Sequence, residues 1–428
     1  MPQRHGVSRR AFLRRSAVAV AAPLAVPARV LGAEGKTPPS EQIALGVIGY
    51  GGRCSRVLAH FMLFDEVRCI AVSDCKANRR QACKAAADKK YGNQDCKTYP
   101  DFRELLARPD IDAVLIATGD RWHSLASIHA AKAGKDIYSE KPISLTIEEG
   151  RAMADTMARF GTVYQAGHQR RSVDSYRFQN EVVRSGMIGK VHTVICRNWA
   201  GPTIKAEAPQ PVPKGFDYDM WLGPTPWHPY TNARVRGWNY FWDTGAGPLI
   251  GMGCHYTDIA QWGLDRDDTG PVSYEGTATW AADAFSETPV TAEIVCTYAD
   301  GVKILLQSQG AFKDRFIRFV GTEGWVQLDD QTNVVTAEPA SILRHRSIAT
   351  RSWAHTGNHI GNLLECIRTR QPTVCHPESA HRATTICHAA NICLRLGRKL
   401  VWDPAAERFD DPEANQMISR AMRAPWML

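Results

Sequence analysis

The sequence predicts an α/β fold in two parts: an N-terminal Rossmann-type doubly wound parallel sheet, then an α+β domain built on a large open, mostly antiparallel sheet. Three observations predict it. Apolar runs of strand length alternate with helical patterns from Ile43 to Gln165, a glycine turn follows the first run, and from Pro271 to Ala337 alternation with hairpin turns replaces that rhythm. At 428 residues the chain exceeds the ~250–300 at which one hydrophobic core usually splits. Two domains are therefore expected, at 41–166 and 167–428, with the C-terminal helices in the second.

Residues 1–33 have a different character. They hold six arginines and no acid, with Ser8-Arg9-Arg10-Ala11-Phe12-Leu13 ahead of an apolar stretch from Ala17 to Val26. This is the layout of a twin-arginine export signal, and Ala28 and Gly32-Ala33 supply small residues for cleavage. The apolar run is too short to span a membrane as a helix, so removal is expected, and with it a periplasmic or exported protein. Taking these six arginines from the formal +8 leaves +2, which gives no electrostatic case for nucleic acid or an anionic membrane. Export of a folded chain suggests a cofactor loaded beforehand. Twelve cysteines without a CxxC pair or a dense framework read as mostly free, buried thiols, and no zinc-type ligand spacing is present.

The elements follow in order. Ile43 to Ile48 reads as a strand, Gly49-Tyr50-Gly51-Gly52-Arg53-Cys54 as a turn, and Val57, Leu58 and Phe61 as one helix face. A glycine turn there lets backbone N–H groups and the helix N-terminus meet a pyrophosphate. The next strand, Val67 to Val72, ends at Asp74, 25 residues past Gly49, near the spacing at which an acid reaches an adenosine ribose. An acid disfavours a 2′-phosphate, so NAD is expected rather than NADP, with Lys76, Arg79 and Arg80 as the contrary sign. A third strand, Ala113 to Thr118, runs into Gly119-Asp120-Arg121-Trp122-His123, and a fourth into Tyr138-Ser139-Glu140-Lys141-Pro142. Thr146 with Glu149 three residues on reads as a capping box. The strand ends thus nominate Gly49, Tyr50, Gly51, Gly52, Arg53, Asp74, Thr118, Trp122, His123, Glu140, Lys141 and Gln169 as cofactor contacts. For His123, filling the strand-end crevice is an equal alternative.

Lys141 is the first candidate for chemistry. Apolar surroundings and a cationic ring lower a lysine's pKa from ~10.4 toward neutrality, where it exchanges a proton with a hydroxyl. Farther on, Cys254-His255-Tyr256 opens a helical pattern in which His255 and Asp258 share a face, so the acid could orient the imidazole. Between them lies a proline-rich, aromatic stretch from Pro202 to Trp242. Trp199, Trp221, Trp227, Trp238, Tyr240 and Trp242 would suit a sugar-binding wall, or would pack the seam between domains. Trp199, Tyr240, Trp242 and Tyr256 are the substrate contacts nominated. Hairpins follow at Asp300-Gly301 and at Gly321 to Gly324, and helical patterns at about 356–369 and 379–396 are expected to cover that sheet.

Together these residues resemble the Gfo/Idh/MocA oxidoreductases, named after glucose-fructose oxidoreductase and inositol dehydrogenase. The glycine turn, Glu140-Lys141-Pro142 and the histidine helix carry the resemblance. Trp221-Leu222-Gly223-Pro224, Asp258-Ile259-Ala260-Gln261-Trp262, Leu396-Gly397-Arg398 and Arg423-Ala424-Pro425-Trp426 look like the exported branch common in planctomycete-type bacteria. The resemblance implies Lys141 and His255 beside a nicotinamide, a cis Lys141-Pro142 bond, and a homodimer or homotetramer formed through the open sheet. Two positions depart from the family pattern. Cys54 replaces the third glycine of the turn, and Gly251 stands where the family often has an acid four residues before the histidine. Either Asp243 or Asp258 substitutes, or the chemistry is altered. The expected function is exported hydride transfer between NAD and a sugar, glycoside or polyol, with the cofactor tightly held. Redox-neutral glycoside cleavage through a keto-sugar, and a non-catalytic sugar-binding protein with structural NAD, are the alternatives.

Overall fold

The computed structural model describes residues 41–344 and 358–428; the expected export signal lies outside them. Strands β1 (Ile43–Ile48), β2 (Val67–Ser73), β3 (Lys97–Tyr99), β4 (Ala113–Ile116), β5 (Asp136–Ser139) and β6 (Tyr164–Ala166) form one parallel sheet. Its order is β3-β2-β1-β4-β5-β6, so the winding reverses between β1 and β4. That reversal opens a crevice beyond the carboxyl ends of the strands, where ligands of such sheets bind. Helices cover both faces, which is why Ala113-Val114-Leu115-Ile116 is buried at every position and reads as a continuous apolar run. Thr146 caps the helix Ile147–Phe160 through its hydroxyl, which accepts from Glu149 N at 3.2 Å, as the capping signal predicts.

Among the described residues nine strands build the second sheet: β7 (Val191–Asn198), β8 (Ser273–Thr279), β9 (Thr291–Thr297), β10 (Lys303–Ser308), β11 (Phe316–Gly321), β12 (Gly324–Asp329), β13 (Val335–Glu338), β14 (Leu400–Asp403) and β15 (Arg408–Phe409). Their order is β13-β12-β11-β7-β10-β9-β8-β14-β15, antiparallel except that β7 and β10 run parallel. Alternation decides which side is covered. Val194, Cys196, Ile294, Ile304, Leu306, Ile317 and Phe319 point to one face and bury against Ile259, Ile386 and Cys393 of the helices Gly253–Leu264 and Pro377–Leu396.

The helix His359–Thr369 behaves differently from the expectation. Its Ile360, Leu363, Leu364 and Cys366 pack with Leu45 and Val47 of the first sheet and Leu58 of the helix Gly52–Phe61, so it covers the parallel sheet and not the antiparallel one. Periodicity marks an apolar face but not its partner. All twelve cysteines are free and all but Cys75 are buried, most of them among apolar side chains.

Between β7 and the helix Gly253–Leu264 the aromatic stretch folds back over the end of β2. Phe216, Tyr218, Trp221, Leu222 and Tyr230 form their own small core. Asp217 N donates to Cys75 O at 2.9 Å and Ala77 N to Gly215 O at 2.8 Å, which fastens this cover to the turn after β2.

Candidate active site

Beyond the ends of β1, β2 and β4 lies a cavity of about 410 Å³, within the usual range for a small-molecule site. Six nominated cofactor residues line it: Gly49, Gly51, Arg53, Asp74, Thr118 and Trp122. Gly49 has φ +82°, and a Cβ there would lie 2.9 Å from Thr118 backbone atoms, so the close turn needs glycine. The helix Gly52–Phe61 starts without a side-chain cap and without an acid in its first turn. Its first N–H groups are therefore left for an anion. Asp74 accepts from Tyr50 N at 2.7 Å and from Lys76 N at 2.8 Å, which fixes its carboxylate at the rim where a ribose hydroxyl would sit. A turn that only glycine fits, an uncapped helix start and a fixed acid suit a dinucleotide; Gly49–Arg53 would hold its pyrophosphate and Asp74 its ribose.

The other nominated residues support this cavity from behind. Glu140 is buried and accepts from Arg53 Nε and Gln169 Nε2, both at 2.8 Å, and Gln169 also donates to the Tyr138 hydroxyl. Tyr50 and Gly52 contribute backbone at the turn. His123 does not line the cavity: its Nδ1 sits 2.7 Å from Pro142 O, and with Ser124, which donates to Ile143 O, it fixes the loop after β5. Of the two alternatives for His123, crevice filling describes its place. The Lys141–Pro142 bond in that loop is cis.

Lys141 reaches from this loop to the second domain, donating from Nζ to Gly251 O at 2.6 Å. Gly251 ends a short helix, Pro248–Gly251, and two residues later the helix Gly253–Leu264 begins and carries His255. The imidazole is 5 % exposed, and burial, then Arg170 and Lys141, hold it neutral by driving its pKa well below 6.5. Its Nδ1 is buried with no partner among the described residues.

Asp258 does not orient it. That carboxylate accepts from Arg171 Nε at 2.9 and 3.0 Å, and Arg171 also binds Asp267, so Asp258 belongs to a buried ion cluster. Sharing a helix face left a stronger partner out of account: the charged guanidinium arrives from residue 171, distant in sequence. Asp243 is likewise taken, by His228 at 2.6 Å and Arg234 at 3.1 Å. Instead His168 packs edge-on against His255, ring centres 5.4 Å apart; among the described residues neither of its buried nitrogens makes a hydrogen bond, and Asp258 Oδ2 lies 3.9 Å from its Nδ1. Burial, Arg171 and Lys141 lower its pKa to about 3. Asp120 is the other residue the sequence reading missed. It is 3 % exposed with Oδ2 unpartnered, and burial, opposed by Lys141 and Arg121, raises its carboxyl to about 8. No motif marked either residue.

The nominated aromatics are not one wall. Trp199 packs on Phe312 beside Arg315, Trp242 lies near Trp280 and Arg395, Tyr256 is fully buried near Arg170, and Tyr240 is half-buried in the stretch after Trp238. Trp221 and Trp238, with Met220, line the nucleotide cavity instead. Flat rings signal a binding surface, but their spacing did not tell which ligand. Among the described residues, no helix is long and apolar enough to cross a membrane and no cluster of three or more potential ligands could hold a metal.

Comparison with known proteins agrees with this geometry. Residues 43–168 match the family model described as oxidoreductase family, NAD-binding Rossmann fold, and residues 179–428 its companion, the C-terminal alpha/beta domain. An uncharacterised oxidoreductase of Bacillus subtilis, YrbE, is 24 % identical over 84 % of this chain and 96 % of its own. An inositol 2-dehydrogenase of Pseudomonas fluorescens is 32 % identical over 38 % of this chain, and the match spans about half of that relative, 47 %. The myo-inositol 2-dehydrogenase structure from Lactobacillus plantarum shares the fold at TM-score 0.61, with 20 % identity, covering 84 % of this chain and 99 % of that one. The glycine turn before an uncapped helix, the lysine after β5 and the open second sheet thus have one explanation: the chain belongs to the Gfo/Idh/MocA oxidoreductases.

Proposed function

We propose that this protein is an exported NAD-dependent oxidoreductase that transfers hydride to or from a CH–OH group of a sugar, glycoside or polyol and holds its cofactor tightly. When bound, the nicotinamide supplies the hydride acceptor and donor. One observation carries the reading: Lys141 Nζ is held on Gly251 O at the junction of the two domains, one helix start away from His255. There Lys141 hydrogen-bonds the substrate hydroxyl and takes its proton as hydride leaves. His255, kept neutral by burial, accepts from or donates to the same oxygen. Asp74 favours NAD over NADP because its carboxylate repels a 2′-phosphate, although Lys76 and Arg79 line the same cavity. Inositol dehydrogenase relatives support a polyol or sugar substrate. Arg9-Arg10 before the short apolar run supports export, and the side of the second sheet away from its helices suits self-association into a homodimer or homotetramer.

Substituting Lys141→Ala is expected to lower turnover by ~10²–10⁴ while leaving nucleotide bound. Intact activity of that variant on a panel of polyols and glycosides would remove the lysine from the mechanism. A second reading, redox-neutral cleavage of a glycoside, is favoured by the space at Gly251, where an added Cβ would meet only Asn239 Nδ2, at 3.9 Å. That space suits an aglycone. Gly251→Asp should then suppress glycoside cleavage more than polyol oxidation; equal effects on both would argue for simple oxidation.

A further inference from the structure

The segment 417–428 joins neither sheet. It runs instead to the aromatic cover of the nucleotide cavity. Arg423 Nη1 binds Asp219 Oδ1 at 2.6 Å, its Nη2 donates to Asp219 O at 3.0 Å, and its Nε is shared by Gly223 O at 3.2 Å and Thr225 O at 3.1 Å. Its backbone N donates to Pro224 O at 2.9 Å. One guanidinium therefore gathers the carbonyls on both sides of the turn that ends the helix Tyr218–Leu222. Three residues on, the buried Trp426 ring stands edge-on to Trp122, centres 4.7 Å apart, and near Phe102. Arg420 completes the run, binding Glu149 at 2.5 Å and the carbonyls of Asp243 and Arg121.

These contacts converge on the cavity from behind. Trp122 and Phe102 line it from the Rossmann side, Met220 and Trp221 from the cover, and neither Arg423 nor Trp426 touches it. The two linings are stitched together directly: Trp122 Nε1 donates to Met220 O at 3.1 Å and Arg121 Nε to Trp221 O at 2.7 Å. Gly223 has φ +58°, and a Cβ there would fall 2.3 Å from the Trp122 ring, so the cover rests directly on that indole. A helix of five residues does not hold its shape alone. Beyond its Asp217 cap and the bond from Asp217 N to Cys75 O, it is held by Arg121 and Trp122 on one side and Arg423 on the other.

We propose that segment 417–428 is a strap that fastens the cover over the dinucleotide and sets how slowly the nucleotide leaves, with Arg423 and Trp426 as positioning residues. The proposal rests on the nucleotide reading of the cavity. With the strap in place, lifting Met220, Trp221 and Trp238 off the cavity breaks either the charge-assisted bonds at Asp219 or, if the strap moves with the cover, the Trp426–Trp122 contact.

The test is NADH dissociation from the full chain, followed by fluorescence during a chase with excess NAD, for wild type, Arg423→Ala, Trp426→Ala and Asp219→Asn. Asp219→Asn weakens the same ion pair from the cover side at an exposed position, so it reports even if a strap variant folds poorly. Arg423→Ala is expected to release nucleotide at least about tenfold faster, since charge-assisted bonds of this kind are lost. Asp219→Asn should change in the same direction with little change in melting of the nucleotide-free protein, and Arg423→Lys should restore part of the retention, whereas Trp426→Ala removes a buried ring and is compared at a temperature where it stays folded. Unchanged dissociation in Arg423→Ala, Trp426→Ala and Asp219→Asn overturns the strap alone. Wild type that takes up neither NADH nor NADPH overturns the nucleotide reading, and the strap with it.

Discussion

The two ends of the cleft satisfy their polar groups in opposite ways. At the nucleotide end Asp74 accepts two backbone N–H groups, and Glu140 accepts from Arg53 and Gln169. At the Lys141 end His168 makes no hydrogen bond from either nitrogen, with Asp258 Oδ2 3.9 Å from its Nδ1, and His255 Nδ1 and Asp120 Oδ2 are also buried without a hydrogen bond among the described residues. Each such orphan costs ~1–3 kcal/mol, so a fold keeps them where a ligand or an ordered water completes the set. Apart from Arg121 Nη1, which is buried without a hydrogen bond among the described residues, the nucleotide end is a finished cradle. The end around Lys141 is an arrangement finished by what it binds.

The sharpest way to break that contrast is to compare His255 with Asp258. If His255 serves the reacting oxygen, His255→Ala lowers turnover by ~10²–10⁴ with little loss of melting temperature, because among the described residues its ring nitrogens anchor no other side chain. Asp258→Asn is expected to do the reverse. Removing one partner of a buried ion pair costs ~3–5 kcal/mol, read as a lower melting temperature, while the His255 chemistry persists in the protein that stays folded. Should Asp258→Asn instead abolish turnover at unchanged stability, the acid would be an orienter after all.

Asp120 gives a smaller, pH-dependent effect. Its carboxyl stays protonated in the folded protein up to about 8 because burial outweighs Lys141 and Arg121, whereas the unfolded group ionises near 3.8. The stability it contributes is complete below the lower value and is lost as pH rises through about 8. Thermal melting of wild type should therefore weaken between those limits relative to Asp120→Asn. Parallel melting profiles for the two proteins would place the carboxylate in a more polar setting than its burial indicates.

The smallest effect lies outside the cleft. Burial alone would raise Glu407, but His381 and Arg151 overcome it and hold the carboxylate at about 2. Here stability is present above the ordinary value of 4.5 and is lost as pH falls toward about 2. Glu407→Gln should flatten acid unfolding in that window without changing nucleotide retention. A change in retention would mean that this network, which ties the helix Ile147–Phe160 to Pro377–Leu396, also braces the site.

What the sequence determined by itself is local. Runs such as Ala113 to Ile116, the glycine turn at Gly49, the Thr146 cap and the Asp300-Gly301 hairpin depend on residues close along the chain, and period, propensity and backbone freedom are legible there. Lys141 was found because it follows a strand end. Contacts across long separations were not legible, because an apolar face or a charge does not name its partner. Tertiary structure alone decided that Arg171 and not His255 claims Asp258, and that the helix His359–Thr369 covers the first sheet. It decided too that Trp221 and Trp238 line the cavity at the strand ends, and that a guanidinium from residue 423 binds Asp219 on the helix beside them. Each of these depends on which groups burial brings together, and burial is a property of the whole fold.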